Sequence, residues 1–209
     1  MAVGVRKRKK ITEAQYLAME RASQTKHEFL DGEICAMTGA SERHNLITMS
    51  TLASLYGQLR GRPCRVYPGD MRVKVAATGL YTYPDISVVC GRTELADENQ
   101  DTLLNLVLII EILFRATSRY DHGEKFSHYR RIPTLAEYLL IAQTRCAVEH
   151  YLRQPDGKWL LTEYNDLADV IELPSIGCRL ALSDVYEQVV RLIKEEGPAW
   201  NLPPAQEMP

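Results

Sequence analysis

The stretch that decides the fold reads Tyr83-Pro-Asp-Ile-Ser-Val-Val-Cys90 and, after a polar loop, Leu106-Val-Leu-Ile-Ile-Glu-Ile-Leu113. The second segment is apolar at nearly every position, which is typical of a strand buried on both faces inside a sheet. Glu111 interrupts it, and an ionised carboxylate buried there is costly unless a cation or several donors meet it. The sequence therefore predicts two neighbouring strands that carry a carboxylate in need of a partner.

Asp85 supplies a second carboxylate at the mouth of the first strand, and Lys125 lies on the helix predicted after the second. Carboxylate oxygens are the ligands that Mg²⁺ and Mn²⁺ prefer, one or two per ion, with water and substrate phosphate completing the shell. Such an ion makes a bound water nucleophilic and offsets charge on a phosphorus transition state. We therefore predict Asp85 and Glu111 as metal ligands and Lys125 as the group that serves the attacking water. The structural alternative is a buried ion pair with an arginine or lysine.

Four further residues are candidate accessory groups. Glu28 and Asp70 are candidate additional acids, with a solvent-facing strand residue and a turn residue as the respective alternatives. His44, in the first turn of a long predicted helix, is a candidate to approach the site or a phosphate; a local hydrogen bond is the alternative. Tyr129 follows Lys125 by one helical turn and is predicted to share its face.

Length and composition indicate one globular domain. The 209 residues and 23.7 kDa fit a single domain, placed at 12–195 between a disordered basic tail at 1–11 and a proline-rich tail at 196–209. The net charge of -2 does not by itself indicate nucleic-acid binding, although a local groove can still be basic. No apolar run approaches a membrane span or follows the basic N-terminus as in a signal peptide. Five scattered cysteines without a C-x-x-C predict reduced thiols in a cytoplasmic protein.

The pattern of elements predicts an α+β fold. Thr12 and Gln15 form a predicted capping box, and Asp31-Gly32 is a strong hairpin turn. The predicted helices are 12–23, 42–60, 122–131 capped by Asp121, and 183–195. The apolar face of the second helix is predicted to hold Leu52, Leu55, Tyr56 and Leu59. The predicted strands are 26–30, 33–37, 64–67, 71–76, 83–90, 106–113, 137–142, 147–153, 158–164, 169–173 and 178–182, with a mobile loop at 91–105.

Three segments together resemble the Uma-type restriction endonuclease family of the PD-(D/E)XK nuclease superfamily. They are Tyr83-Pro-Asp-Ile-Ser-Val-Val, Ile109-Ile-Glu-Ile-Leu113 and Tyr120-Asp-His-Gly-Glu-Lys-Phe-Ser-His-Tyr-Arg-Arg-Ile-Pro133. The resemblance covers about residues 12–190, including Phe29-Leu-Asp-Gly-Glu-Ile and Asp70-Met-Arg-Val-Lys-Val. It implies a restriction-endonuclease-like core at 42–142, of order α-β-β-β-α-β, with a mixed central sheet flanked by helices and added N- and C-terminal hairpins. It also implies Asp85 and Glu111 as metal ligands.

The chain departs from the pattern of the superfamily at two places. The superfamily's lysine normally lies two residues after the acid, where this chain has Leu113. The Uma-type family commonly lacks that lysine as well, and Lys125 on the following helix is the natural substitute. Phe114-Arg-Ala-Thr117 stands where relatives usually read Ser-Pro-Ser-Thr. Arg115 is the candidate to take over a phosphate contact there.

Two functions follow from these observations. The first is a Mg²⁺- or Mn²⁺-dependent endonuclease that hydrolyses phosphodiester bonds in nucleic acid, with DNA as the expected substrate. The alternative is a catalytically weak or inactive nuclease fold that binds nucleic acid or a partner protein, which the altered segment 114–116 favours. Nuclease folds of this kind often work as dimers, so a homodimer is one assembly that we consider. The absence of G-x-x-x-x-G-K-[ST], G-x-G-x-x-G and G-x-S-x-G argues against nucleotide hydrolysis, dinucleotide binding and serine-hydrolase chemistry.

Overall fold

The computed structural model describes residues 10–37, 39–114 and 118–196. The helices are α1 (Glu13–Ala22), α2 (Glu42–Leu59), α3 (Ser118–Tyr120), α4 (Phe126–Tyr129), α5 (Leu182–Val185) and α6 (Glu187–Glu196), with a π-helical turn, Asp121–Lys125, between α3 and α4. The strands are β1 (His27–Leu30), β2 (Glu33–Ala36), β3 (Cys64–Pro68), β4 (Arg72–Val75), β5 (Leu80–Thr82), β6 (Ile86–Cys90), β7 (Thr102–Leu103), β8 (Leu108–Leu113), β9 (Glu137–Ala142), β10 (Val148–Arg153), β11 (Trp159–Tyr164), β12 (Val170–Leu173) and β13 (Cys178–Ala181). Within these ranges, none of the helices combines the length and the hydropathy needed to span a bilayer. Residues 1–9 of the tail predicted at 1–11, residues 197–209 of the tail predicted at 196–209 and the predicted contact of Arg115 lie outside the described residues.

A mixed six-stranded sheet forms the centre of the fold, in the order β11-β10-β9-β8-β6-β3. β8 and β9 run parallel, and the other neighbours are antiparallel. The core elements follow one another in the predicted order: α2, β3, β6, β8, the helix that contains α3 and α4, and β9. The hairpin of β10 and β11 extends this sheet. The α+β class with a mixed central sheet is therefore confirmed.

The N-terminal hairpin joins a second, five-stranded sheet, β2-β1-β5-β4-β7, that the sequence did not predict. One long strand was expected at 83–90, but the chain leaves the ladder over Tyr83–Asp85. Pro84 has no N–H to donate to a ladder, and it constrains the residue before it. β5, before this break, therefore pairs with β1 in one sheet, while β6, after it, pairs with β8 in the other.

The two faces of the central sheet carry separate apolar clusters. Along β8, Leu108, Ile110 and Ile112 pack with α2, α5 and α6, whereas Ile109 packs with β4, β5 and α4. Successive side chains of a strand point to opposite faces. Glu111 is therefore directed to the face of Ile109, towards the five-stranded sheet and α4.

Two local predictions near the N-terminus are confirmed. Thr12 and Gln15 form the capping box in both directions. Asp31 and Gly32 both have positive φ, 48° and 81°, as a two-residue hairpin turn of the primed type requires. The backbone N–H of Ile11, which the prediction placed in the disordered tail, donates to the Gly32 carbonyl at 3.0 Å.

The apolar face predicted for α2 is partly wrong. Tyr56 is exposed, and Leu52 is only partly buried. A spacing of four residues keeps one face of a helix against the core. The buried positions are Ile47, Thr51, Leu55 and Leu59.

The loop predicted to be mobile, 91–105, is attached to the rest of the fold. It contains β7, and Arg21 of α1 forms ion pairs with Asp97 at 2.5 Å and Asp101 at 2.8 Å. Arg72 of β4 also contacts Asp101, at 2.8 Å. The sequence could not predict these contacts because each joins residues far apart in the chain.

The prediction of reduced thiols is wrong for one pair of cysteines. Cys64 of β3 and Cys90 of β6 face each other in register and form a disulfide. Their separation of 26 residues conceals this pairing in the sequence. Cys35, Cys146 and Cys178 are free thiols.

Candidate active site

The structure brings Asp85 and Glu111 together at one end of the central sheet. The ladder of β6 and β8 pairs Ser87 with Ile109 and Ile86 with Ile110. Continued by one residue, this register places Asp85 opposite Glu111. Residues directly opposite in an antiparallel pair have Cβ atoms about 4.5–5.5 Å apart. The two predicted metal ligands are therefore neighbours, Glu111 on β8 and Asp85 directly before β6.

Asp85 is held from two sides and still reaches solvent. Its Oδ2 accepts a hydrogen bond from the backbone N–H of Ile112 at 2.7 Å, and its Oδ1 lies 3.1 Å from Nε2 of His44. The side chain remains 21% exposed. His44 occupies the first turn of α2, where its backbone N–H donates to the N-cap Ser41. The structure thus places the accessory candidate His44 against Asp85.

Glu111 is buried, with 4% of its surface exposed. Its Oε1 accepts hydrogen bonds from Nζ of Lys125 at 2.9 Å and from the hydroxyl of Tyr129 at 2.8 Å. The prediction that Lys125 and Tyr129 share one face is therefore confirmed. Burial is the largest influence on the carboxyl and raises the pKa of Glu111, while the Lys125 ammonium opposes this rise and the Asp85 charge adds to it. The ion pair that the sequence offered as the alternative to a metal site is present here.

Lys125 connects three carboxylates. Its Nζ lies 2.9 Å from Glu111, 3.2 Å from Glu28 and 3.7 Å from Asp121, and the residue is only 5% exposed. Burial of the ammonium lowers the pKa of Lys125, but the three carboxylates outweigh burial and raise this pKa well above its usual value. Lys125 is therefore a protonated, positively charged group at neutral pH.

The helix that carries Lys125 differs from its prediction. It begins at Ser118, passes through the π-helical turn and ends at Tyr129. Asp121 is buried within the helix, so its prediction as an N-cap is wrong: its carboxylate faces Lys125 at the start of the wider turn. π-helical turns of this kind occur frequently at functional sites.

Glu28 enters the site from the five-stranded sheet. Its Oε1 accepts a hydrogen bond from the Thr82 hydroxyl at 2.5 Å, and the charge of this carboxylate adds to burial in raising the pKa of Tyr120. Thr82 and Tyr120 were missed by sequence reasoning because the pairing of β1 with β5 was not predicted. The structure thus places the accessory candidate Glu28 at Lys125.

Asp70 does not join this cluster. Its side chain is 85% exposed and pairs with Lys26 at 2.5 Å. Among residues 10–37, 39–114 and 118–196, no group of three or more His, Cys, Asp or Glu side chains could hold a metal. An ion at this site would therefore depend on the carboxylates of Asp85 and Glu111, with water and substrate oxygens completing its shell.

A second buried polar network adjoins the site. The Tyr83 hydroxyl donates to Oε1 of Glu20 at 2.9 Å and accepts from Arg72 at 3.1 Å. His27, for which the sequence gave no signal, lies 2.9 Å from the other oxygen of Glu20. These contacts fix the segment that leads into Asp85 against α1 and β4.

Comparisons with known proteins show the family of this chain. Residues 13–183 match the model of the Uma2 family, which is described as "Putative restriction endonuclease". Two proteins of Synechocystis sp. (strain ATCC 27184 / PCC 6803 / Kazusa) are similar. "Uncharacterized protein sll1609" is 39% identical over 73% of this chain and 86% of its own, and "Uncharacterized protein slr1290" is 33% identical over 85% of this chain and 92% of its own.

A solved structure is also similar in fold. It is the crystal structure of "a putative nuclease belonging to DUF820 from Anabaena variabilis ATCC 29413", with a TM-score of 0.66. The match covers 79% of this chain and 92% of that one at 18% identity. This likeness concerns the fold, and it agrees with the restriction-endonuclease-like core predicted from the sequence.

Proposed function

The chain belongs to the Uma2 family, described as putative restriction endonucleases, and we propose that it is a metal-dependent nuclease that hydrolyses phosphodiester bonds in DNA. One observation carries the proposal: a buried lysine meets three carboxylates, beside a fourth, Asp85, that directly precedes the neighbouring strand β6. The single charge of Lys125 does not balance the three acids it contacts. Burial raises the pKa of Glu111 most, and a divalent cation at Asp85 and Glu111 would relieve the repulsion from Asp85 that adds to this rise.

The donor set fits a hard cation such as Mg²⁺ or Mn²⁺. Asp85 and Glu111 offer oxygen ligands from adjacent strands, and a magnesium ion commonly uses one or two carboxylates and keeps several waters. When bound, such an ion lowers the pKa of a coordinated water and offsets charge that develops on the phosphate. Asp85 reaches solvent, so a substrate can approach the site from its side.

Lys125 contributes charge and a hydrogen bond. Since the surrounding carboxylates raise its pKa well above the usual value, Lys125 cannot accept a proton from water at neutral pH. We therefore assign it the orientation of the attacking water and the stabilisation of negative charge on the phosphate. Tyr129 donates to the same oxygen of Glu111 and restrains the direction of that carboxylate.

The proposal is tested by isosteric changes of the two ligands. Asp85→Asn and Glu111→Gln keep the shape of each side chain and remove its charge. We expect both variants to lose Mn²⁺ binding in calorimetry and cleavage of plasmid DNA, with unchanged circular dichroism. Asp70→Asn, an exposed acid outside the cluster, is the matched control and should behave like the parent. Cleavage by both ligand variants at the parent's rate would refute the assignment.

A nuclease fold that binds without cutting is the second candidate. The observation that favours it is the contact of Lys125 and Tyr129 with one oxygen of Glu111, since these donors already satisfy part of that carboxylate. The same experiment separates the two functions. Binding of DNA by the parent without any binding of Mn²⁺ or Mg²⁺ would favour the binding module over the nuclease.

A further inference from the structure

Glu28 belongs to a different sheet from the two proposed metal ligands. It lies on β1, in the five-stranded sheet. Glu111 lies on β8 of the central sheet, and Asp85 directly precedes β6 of the same sheet. The Lys125 ammonium bridges the two sheets, 3.2 Å from Glu28 and 2.9 Å from Glu111. The N-terminal hairpin therefore reaches the centre of the site through one carboxylate.

Glu28 is held in place by contacts besides the one with Lys125. The register that pairs Phe29 with Tyr81 places Glu28 opposite Thr82, whose hydroxyl donates to Oε1 of Glu28. The Lys125 ammonium lies 3.2 Å from the same oxygen. A carboxylate that meets a neutral donor and an ammonium is restrained in its orientation.

We propose that Glu28 is a positioning residue for Lys125, which it holds in the site when a divalent cation takes Glu111. The inference rests on the proposed function. An ammonium and a divalent cation compete for the same carboxylate, because both are positive and Glu111 is the acid that they share. Glu28 offers the ammonium a second anion, so that Lys125 would stay in place while Glu111 coordinates the metal.

A purely structural ion pair between β1 and the helix would have different consequences. Loss of such a pair would lower stability and leave the properties of Glu111 unchanged. Loss of a positioning residue leaves Lys125 with Glu111 and the more distant Asp121 as its carboxylate partners. Glu111 would then bind a cation less readily, and Lys125 would be displaced from its place beside the substrate.

The test compares Glu28→Gln in the parent and in a Lys125→Met background. Glutamine keeps the shape of the side chain and its hydrogen bond from Thr82. We expect Glu28→Gln to weaken Mn²⁺ binding about tenfold in the parent, the equivalent of one charge-assisted hydrogen bond, and to lower kcat with little change in the KM for DNA. In the Lys125→Met background the same change should have almost no effect on Mn²⁺ affinity, because Glu28 acts through Lys125.

Two further variants keep the test decisive. Glu33→Gln removes an exposed acid from the same hairpin and should leave both Mn²⁺ affinity and kcat unchanged. Thr82→Val removes the donor to Glu28 and leaves the charge of Glu28 unchanged, so it should lower Mn²⁺ affinity and kcat less than Glu28→Gln does. If Lys125→Met does not fold, Thr82→Val replaces the comparison of the two backgrounds. An equal loss of Mn²⁺ affinity in both backgrounds, or no loss in Thr82→Val, would overturn the positioning role alone. A parent that neither binds Mn²⁺ nor cuts DNA would instead refute the proposed function.

Discussion

Two acids of the central sheet, Glu111 on β8 and Glu137 on the neighbouring β9, are both buried and both paired, yet their surroundings differ. Glu137 has a donor at each oxygen: Nε2 of His150 at 2.9 Å from Oε2 and the backbone N–H of Ser175 at 2.7 Å from Oε1. Glu111 receives two donors at one oxygen and lies beside further acids. Glu137 is thus a satisfied structural group, whereas Glu111 belongs to a cluster with too much negative charge.

This difference indicates how a functional buried acid can be distinguished from a structural one. Burial and an ion pair are common to both residues and do not distinguish them. The balance of charge around the acid distinguishes them. The charges of a one-to-one ion pair already cancel, whereas several carboxylates around one ammonium leave negative charge that a further cation can neutralise.

The largest expected effect concerns catalysis. Glu111→Gln removes the charge that a divalent cation needs and should lower the rate of DNA cleavage more than about a hundredfold, since changing even the groups around metal ligands has effects up to that size. Glu137→Gln should leave the rate per folded molecule nearly unchanged. Single-turnover cleavage in Mg²⁺ measures both rates. A comparable loss in the two variants would remove the distinction.

The next effect concerns stability and has the opposite ranking. Glu137→Ala leaves the buried imidazole of His150 and the partly buried N–H of Ser175 without their partner. Breaking one side of a buried pair costs about 3–5 kcal/mol. Glu111→Ala also relieves repulsion from Asp85, so we expect a loss of only about 1 kcal/mol, the centre of the usual range. Urea unfolding in EDTA gives both values, and a larger loss for Glu111→Ala would contradict the charge argument.

A pH dependence should accompany the raised pKa of Glu111. Because burial raises this pKa in the folded chain, the folded state keeps a proton that the unfolded state releases at about pH 4.3. The free energy of unfolding contributed by this group is therefore greatest at low pH. It declines as pH rises from the unfolded pKa towards the folded pKa, by about 1.4 kcal/mol for each pH unit between them. Urea unfolding of the parent and Glu111→Gln from pH 5 to pH 8, in EDTA, measures this decline. The difference between the two proteins should change with pH, and parallel curves would show that the two states bind the proton equally.

The sequence was sufficient to predict contacts that follow from neighbouring strands or from helical spacing. Asp85 and Glu111 meet because their strands are adjacent and antiparallel, and Lys125 meets Tyr129 because they are one helical turn apart. The mixed sheet followed from the order of apolar segments in the same way. The metal-binding roles of these residues and the homodimer stay predictions.

Groups joined by distant pairings could not be predicted. Glu28 reaches Lys125 only because β1 pairs with β5. The strand pairing of β5 ends before Pro84. His150 carries no signal in the sequence, since its partner Glu137 is set by the register of β9 and β10. The N-cap expected at Asp121 failed for another reason: the chain forms a π-helical turn there, which ordinary helix signals do not indicate.

The smallest effect expected concerns Tyr129, whose hydroxyl donates to Oε1 of Glu111. Tyr129→Phe removes one of the two donors to this buried carboxylate, so the variant should lose about 0.5–1.5 kcal/mol of stability and part of the fixed orientation of Glu111. Tyr138→Phe is the matched control, because its hydroxyl donates to the Asp121 carbonyl at 3.1 Å and not to a proposed ligand. Both variants should lose similar stability in urea unfolding, but Tyr129→Phe alone should change Mn²⁺ affinity in calorimetry, by severalfold. Equal Mn²⁺ affinities would mean that Tyr129 supports the fold in the way that His150 does, and that its hydroxyl is not part of what distinguishes Glu111 from Glu137.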